Sequence, residues 1–106
     1  MDVKWGQAVN PQDVENKLKA NPKIKAVFTT LCETSTGVVN DIAAIGKIVN
    51  NTEAVLVIDA VSGLGAIDLK TDDWFCDVVV SGSQKGLMLP PGLGFISVSP
   101  KAFKLI

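Results

Sequence analysis

Three apolar runs in this chain each lead into a cluster of polar residues whose types could do amine and carbonyl chemistry. Ala54–Ile58 ends abruptly in Asp59, followed by Val61 and Ser62. The run that begins at Asp77 ends in Ser81 and breaks at Gly82 into Ser83, Gln84 and Lys85. Ile24–Leu31 leads into Glu33, Thr34 and Ser35. A neutral lysine amine attacks carbonyls and forms Schiff bases, and burial favours that neutral form by desolvation. Lys85, where an apolar strand meets a Gly/Pro loop, is a candidate for such work. Asp59 could hold a nearby cation or cap the turn that follows it. Two plainer uses stay open: Lys85 as an exposed turn lysine, and Ser83 with Lys85 as a hydrolase dyad.

Composition narrows the chemistry further. The chain has 106 residues, enough for one domain or part of one. Net charge is -1, and no run of basic residues suggests a nucleic-acid surface. Histidine is absent, which removes Ser–His and Cys–His nucleophile systems and any His-based metal site. All ten basic residues are lysine. Cys32 and Cys76 lie far apart and make no CxxC pair. Without a signal peptide or a long apolar span, the expectation is a reduced, cytoplasmic protein with no membrane contact.

The elements that must position these clusters read as follows. Asp2–Trp5 is a weak edge strand. Asn10 caps a helix with Pro11 at its first position, Val14 and Leu18 inward, and an end near Asn21-Pro22. Ile24–Leu31 is a strand. Val38, Ile42, Ile45 and Val49 share one face of a second helix. Ala54–Ile58 is apolar throughout, as in a strand covered on both faces. Thr71–Trp74 is a capped single turn, with Trp74 and Phe75 in the core. Strands from Asp77 and from Leu93 follow, and Ser99-Pro100 starts a last helix. The order predicts an α/β fold, a mostly parallel sheet with flanking helices and the last strand returning antiparallel. In such a sheet, ligands bind outside the carboxyl ends of the strands, where all three polar clusters would fall.

A carboxylate can hold a protonated ring nitrogen while an amine holds an aldehyde, the pairing that pyridoxal phosphate needs. Glu33-Thr-Ser-Thr-Gly-Val38, Asp59-Ala-Val-Ser-Gly-Leu-Gly65 and Ser81-Gly-Ser-Gln-Lys-Gly-Leu-Met-Leu-Pro-Pro-Gly-Leu-Gly-Phe95 together resemble the class V pyridoxal-phosphate aminotransferases. The nearest branch comprises alanine–glyoxylate, serine–glyoxylate and serine–pyruvate enzymes. The resemblance implies that Lys85 forms the Schiff base and shuttles the substrate Cα proton, and that Asp59 pairs with the pyridine nitrogen. It further implies cofactor contacts from Val61, Thr34, Gln84 and Ser83. Substrates would be a small amino acid and a 2-oxo acid. Residues 1–106 would be part of the large domain of a fold-type I enzyme, homodimeric when whole. The chain by itself is expected to self-associate and to have little or no transaminase activity.

The sequence departs from that pattern where many relatives carry His-Asn or His-Gly before the glutamate; here the pair is Leu31-Cys32. A cysteine desulfurase is the alternative within the fold, but such relatives usually place His before the lysine, where Gln84 stands. A non-catalytic α/β module that binds a partner or nucleotide is the alternative outside it. Gly63-Leu-Gly65 lacks the third glycine of a dinucleotide fingerprint.

Overall fold

A computed structural model describes residues 1–105. In chain order the elements are α1 (Pro11–Ala20), β1 (Ala26–Thr30), α2 (Ile42–Asn50), β2 (Val55–Asp59), β3 (Val78–Gly82), β4 (Gly94–Val98) and α3 (Pro100–Phe103). The four strands form one sheet in the order β1-β2-β3-β4. β1, β2 and β3 run parallel, and β4 returns antiparallel to β3, as the sequence predicts.

Local chemistry explains most boundaries. The Asn10 side chain accepts from Gln12 N, Pro11 sits in the first turn, and Val14 and Leu18 are the buried positions of α1. α2 begins at Ile42, later than the pattern from Val38 suggests. Asn40 is the reason: its amide donates to Thr30 O at 2.8 Å and accepts from Val9 N at 2.9 Å, holding the chain extended. Asp41 then caps the helix through Ala44 N. Ile42, Ile45 and Val49 are buried on one face, as their spacing predicts.

Three other expectations fail. Asp2–Trp5 forms no strand, and its residues are exposed. Phe75 is 42% exposed rather than core, because it adopts a left-handed conformation (φ 56°) that turns the chain into β3. Trp74 does pack against the core. The third concerns the sheet itself, which is covered on one face only. Side chains alternate across a strand, so the register puts Leu56, Ile58 and Val79 on the face toward the buried cluster that α1 and α2 share. Phe28, Val57, Val80 and Ile96 fall on the other face, where Phe28 is 76% exposed. Continuous apolar runs look alike whether both faces or one are covered in the chain at hand.

The amino-terminal end of the parallel strands is closed by a polar network. Asp77, 6% exposed, accepts from Leu56 N at 2.9 Å and from the Ser99 hydroxyl at 2.7 Å. Lys101 Nζ lies 3.6 Å from the same carboxylate and donates to Ala54 O at 2.5 Å. One carboxylate thus ties the starts of β2, β3 and α3 together.

Candidate active site

The opposite end of the sheet gathers the polar clusters. Asp59 is the last residue of β2, in register with Thr30 of β1 and Val80 of β3. It lies on the open face and is exposed. One carboxylate oxygen accepts from Val61 N at 2.9 Å, so Asp59 does cap the following turn. Its other oxygen has no hydrogen bond among the described residues. That turn is closed by Gly63 N and Leu64 N donating to Ala60 O, which leaves Val61 half-buried beside Asp59.

The loop after β1 is drawn toward the same place. Leu31 N donates to Asp59 O at 2.8 Å, extending the β1–β2 pairing past the strand ends. The Thr34 and Ser62 hydroxyls then meet at 2.5 Å across the two loops. Glu33 is spent locally. The Ser35 backbone N–H, and after it the Ser35 hydroxyl, hold its carboxyl below the usual carboxylate range. Cys32 is half-buried and free, in a bridge with Val39.

β3 delivers Gln84 and Lys85 to this edge. Gly82 ends the strand, and a Cβ there would come within 2.7 Å of Gln84 Oε1. The missing side chain leaves room for the Gln84 amide beside Gly82. Lys85 stands exposed in a turn closed by Met88 N donating to Lys85 O at 2.9 Å. It has no ion-pair partner among the described residues. The burial that the sequence reading gives Lys85 is not supplied by these residues. Just past it, Gly86 packs backbone to backbone against Leu64 and Gly65: a Cβ on Gly86 would collide with Leu64 O. The loop carrying the lysine is therefore seated directly on the turn carrying Asp59.

Among the sequence candidates, Asp59, Val61, Thr34, Gln84 and Lys85 come together on one sheet edge, at the ends of β1, β2 and β3. Ser83 does not join them. It is 0% exposed and its hydroxyl is taken up within its own loop. Sequence reasoning missed Ser62 as the partner of Thr34 and missed the Gly65/Gly86 contact. Glycine spacing in Gly63-Leu-Gly65 and Lys85-Gly86 was the available signal for the second.

An amine, a carboxylate with an unused oxygen, a hydroxyl pair and an amide share this edge. Against known proteins, residues 1–106 match the family described as aminotransferase class-V. The chain belongs to that family. It is 45% identical over 107 residues to the serine–glyoxylate aminotransferase of Methylorubrum extorquens, covering 97% of this chain and 27% of that protein. It is 52% identical over 105 residues to a protein of Anabaena cylindrica named soluble hydrogenase 42 kDa subunit, covering 96% of this chain and 27% of that one. Among solved structures, the pyridoxamine–pyruvate aminotransferase of Mesorhizobium loti superposes with a TM-score of 0.93 at 38% identity. That match covers 98% of this chain and 26% of the other.

This class-V aminotransferase chain thus spans about a quarter of the length of the curated relatives it matches. Its mixed sheet and flanking helices are the fold-type I arrangement of the aminotransferase structures it resembles. No helix among the described residues is long and apolar enough to cross a membrane.

Proposed function

We propose that residues 1–106 are the part of an aminotransferase large domain that holds pyridoxal phosphate. The reaction we assign moves an amino group from a small amino acid, alanine or serine, to a 2-oxo acid such as glyoxylate or pyruvate. One observation carries this reading: Lys85 and Asp59 sit at the same end of adjacent parallel strands, each with a functional atom left free.

The donor set fits the group. Asp59's unused oxygen suits a protonated ring nitrogen, the charge pairing that lets the pyridine draw electrons from substrate Cα. Lys85 would supply the amine that holds the cofactor's aldehyde, and the same amine would move the proton at substrate Cα. The Gln84 amide, folded over Gly82, is a donor for a phosphate oxygen. Thr34, held by Ser62, would meet the cofactor's phenolic oxygen, and Val61 would offer an apolar surface to the ring. No arginine occurs in these 106 residues, so the bidentate partner for a substrate carboxylate comes from outside them. The uncovered apolar face supports self-association of the chain when it stands alone, and a homodimer is the proposed state of the whole enzyme.

The test is chemical. Incubation with pyridoxal phosphate, reduction with borohydride and peptide mapping should place a pyridoxyl group on Lys85. A label on another lysine, with Lys85 unmodified, overturns the proposal.

A further inference from the structure

Ser83 shows how a lysine on an exposed loop can be held in one place. Its four polar functions all bind the stretch Leu89–Leu93. The backbone N–H donates to Leu93 O at 3.0 Å, and the carbonyl accepts from Leu89 N at 3.1 Å. The hydroxyl donates to Pro90 O at 2.6 Å and accepts from Leu93 N at 3.3 Å. The side chain is fully buried, although Gln84 and Lys85 beside it are exposed.

The loop needs such an anchor for a physical reason. Pro90 and Pro91 have no N–H to donate, so this stretch cannot form a continuous ladder of its own. Met88 adds a second constraint, with a left-handed φ of 55° that a side chain rarely adopts. A loop of that kind stays in one conformation only where its surroundings fix it. Here Ser83 fixes the far side of the loop and the Gly65/Gly86 contact fixes the near side.

We infer that the Ser83 hydroxyl is a clasp that closes the 84–92 loop and thereby positions Lys85 and Gln84, without touching the cofactor. Ser83 is on this account a positioning residue, and its value to the amine rests on the function proposed above. The clasp itself is a property of the chain with or without ligand. A hydroxyl in this place holds the lysine's approach constant, so that reaction does not require the loop to be ordered anew at each turnover.

Two measurements on the protein test this. Amide hydrogen exchange, without cofactor, should find Leu89 and Leu93 N–H protected in the wild type and Gly92 N–H exchanging freely. Ser83→Ala should speed exchange at Leu93 by roughly 3- to 10-fold, the size expected for one lost hydrogen bond. The second measurement adds pyridoxal phosphate below the melting temperature of each variant. It follows the visible absorbance of the lysine-linked cofactor and maps the borohydride-fixed label. In Ser83→Ala the share of label on Lys85, relative to the other lysines, should fall by a similar factor, and Ser83→Thr should restore it. A general loss of stability does not redistribute label at a temperature where both proteins are folded. Unprotected Leu89 and Leu93 amides in the wild type overturn the clasp, even if Ser83→Ala fails to fold. Unchanged exchange and label share in Ser83→Ala overturn it equally. Label absent from Lys85 in the wild type instead defeats the proposed function, and the exchange measurement still decides the clasp.

Discussion

The two ends of the parallel strands each carry an aspartate and a lysine, and they use them in opposite ways. At the amino-terminal end, Asp77 accepts from Leu56 N and Ser99, while Lys101 reaches both it and Ala54 O. Both of these charges are buried or half-buried, and each answers the other. At the carboxyl end, Asp59 satisfies one backbone N–H and keeps an oxygen in reserve, and Lys85 has no partner among the described residues. The same residue pair is structural at one end and available at the other. What differs is the number of backbone groups converging on the carboxylate. At strand starts, several elements meet and present N–H groups. At strand ends, the loops splay apart and leave room for a ligand.

Asp59→Asn gives the largest expected effect that would sharpen this contrast. It keeps the turn cap and removes the charge assigned to the ring nitrogen. Turnover in the assembled enzyme should fall by about 10²- to 10³-fold, in the range seen when one preorganised electrostatic group is lost. Its melting midpoint in denaturant should correspond to a change within about 0.5 kcal/mol, as for other exposed sites. If stability falls as far as activity, Asp59 belongs with Asp77 and the contrast collapses.

Asp77→Ala should do the reverse. It orphans Leu56 N and the Ser99 hydroxyl and leaves Lys101 with backbone oxygens alone, and breaking a buried charge pair from one side is costly. Urea unfolding should report a loss of roughly 3 kcal/mol. Any drop in turnover should track the fraction unfolded. A folded Asp77→Ala protein with unchanged midpoint would show the network to be dispensable.

Next to Asp77, the Cys76 thiol gives the smallest expected effect, and it is read through pH. Burial, and after it the Asp77 charge, push this thiol up to about 11 from its ordinary 9.0. The folded value lies above the unfolded one, so the stabilising contribution is fully present below about pH 9. It is lost as pH rises toward 11. Cys76→Ala should flatten the stability profile in that window relative to wild type. Parallel profiles for the two proteins would mean that the thiol ionises as freely folded as unfolded.

Particular residues show why some of this was legible in advance. The caps Asn10 and Ser99, the prolines after them and the Ile42/Ile45/Val49 spacing act within a few residues, so their structural meaning can be read locally. Asp59 and Lys85 were placed on one edge by counting strands, because parallel neighbours must end on the same side. Phe75 and Ser83 are not legible in this way. Phe75 is hydrophobic but sits at a left-handed bend, a matter of chain path rather than residue type. Ser83 lies in a motif that suggests ligand contact, yet its partners stand seven and ten residues further on.

The α/β class, the parallel order with its antiparallel return and the family are written in the chain itself. Those follow from hydrophobic period, strand count and residue chemistry, all of which are local or additive along the chain. Only the tertiary structure decided which polar atoms are spent and which are free. Asp77 and Asp59 are the same residue type at opposite ends of adjacent strands, and Ser83 and Lys85 are two positions apart. Their different fates depend on backbone groups brought near by other elements, such as Leu56 N at Asp77 and Pro90 O at Ser83. Hydrogen bonds form across space at about 3 Å, and no spacing rule along the chain encodes which groups will arrive there.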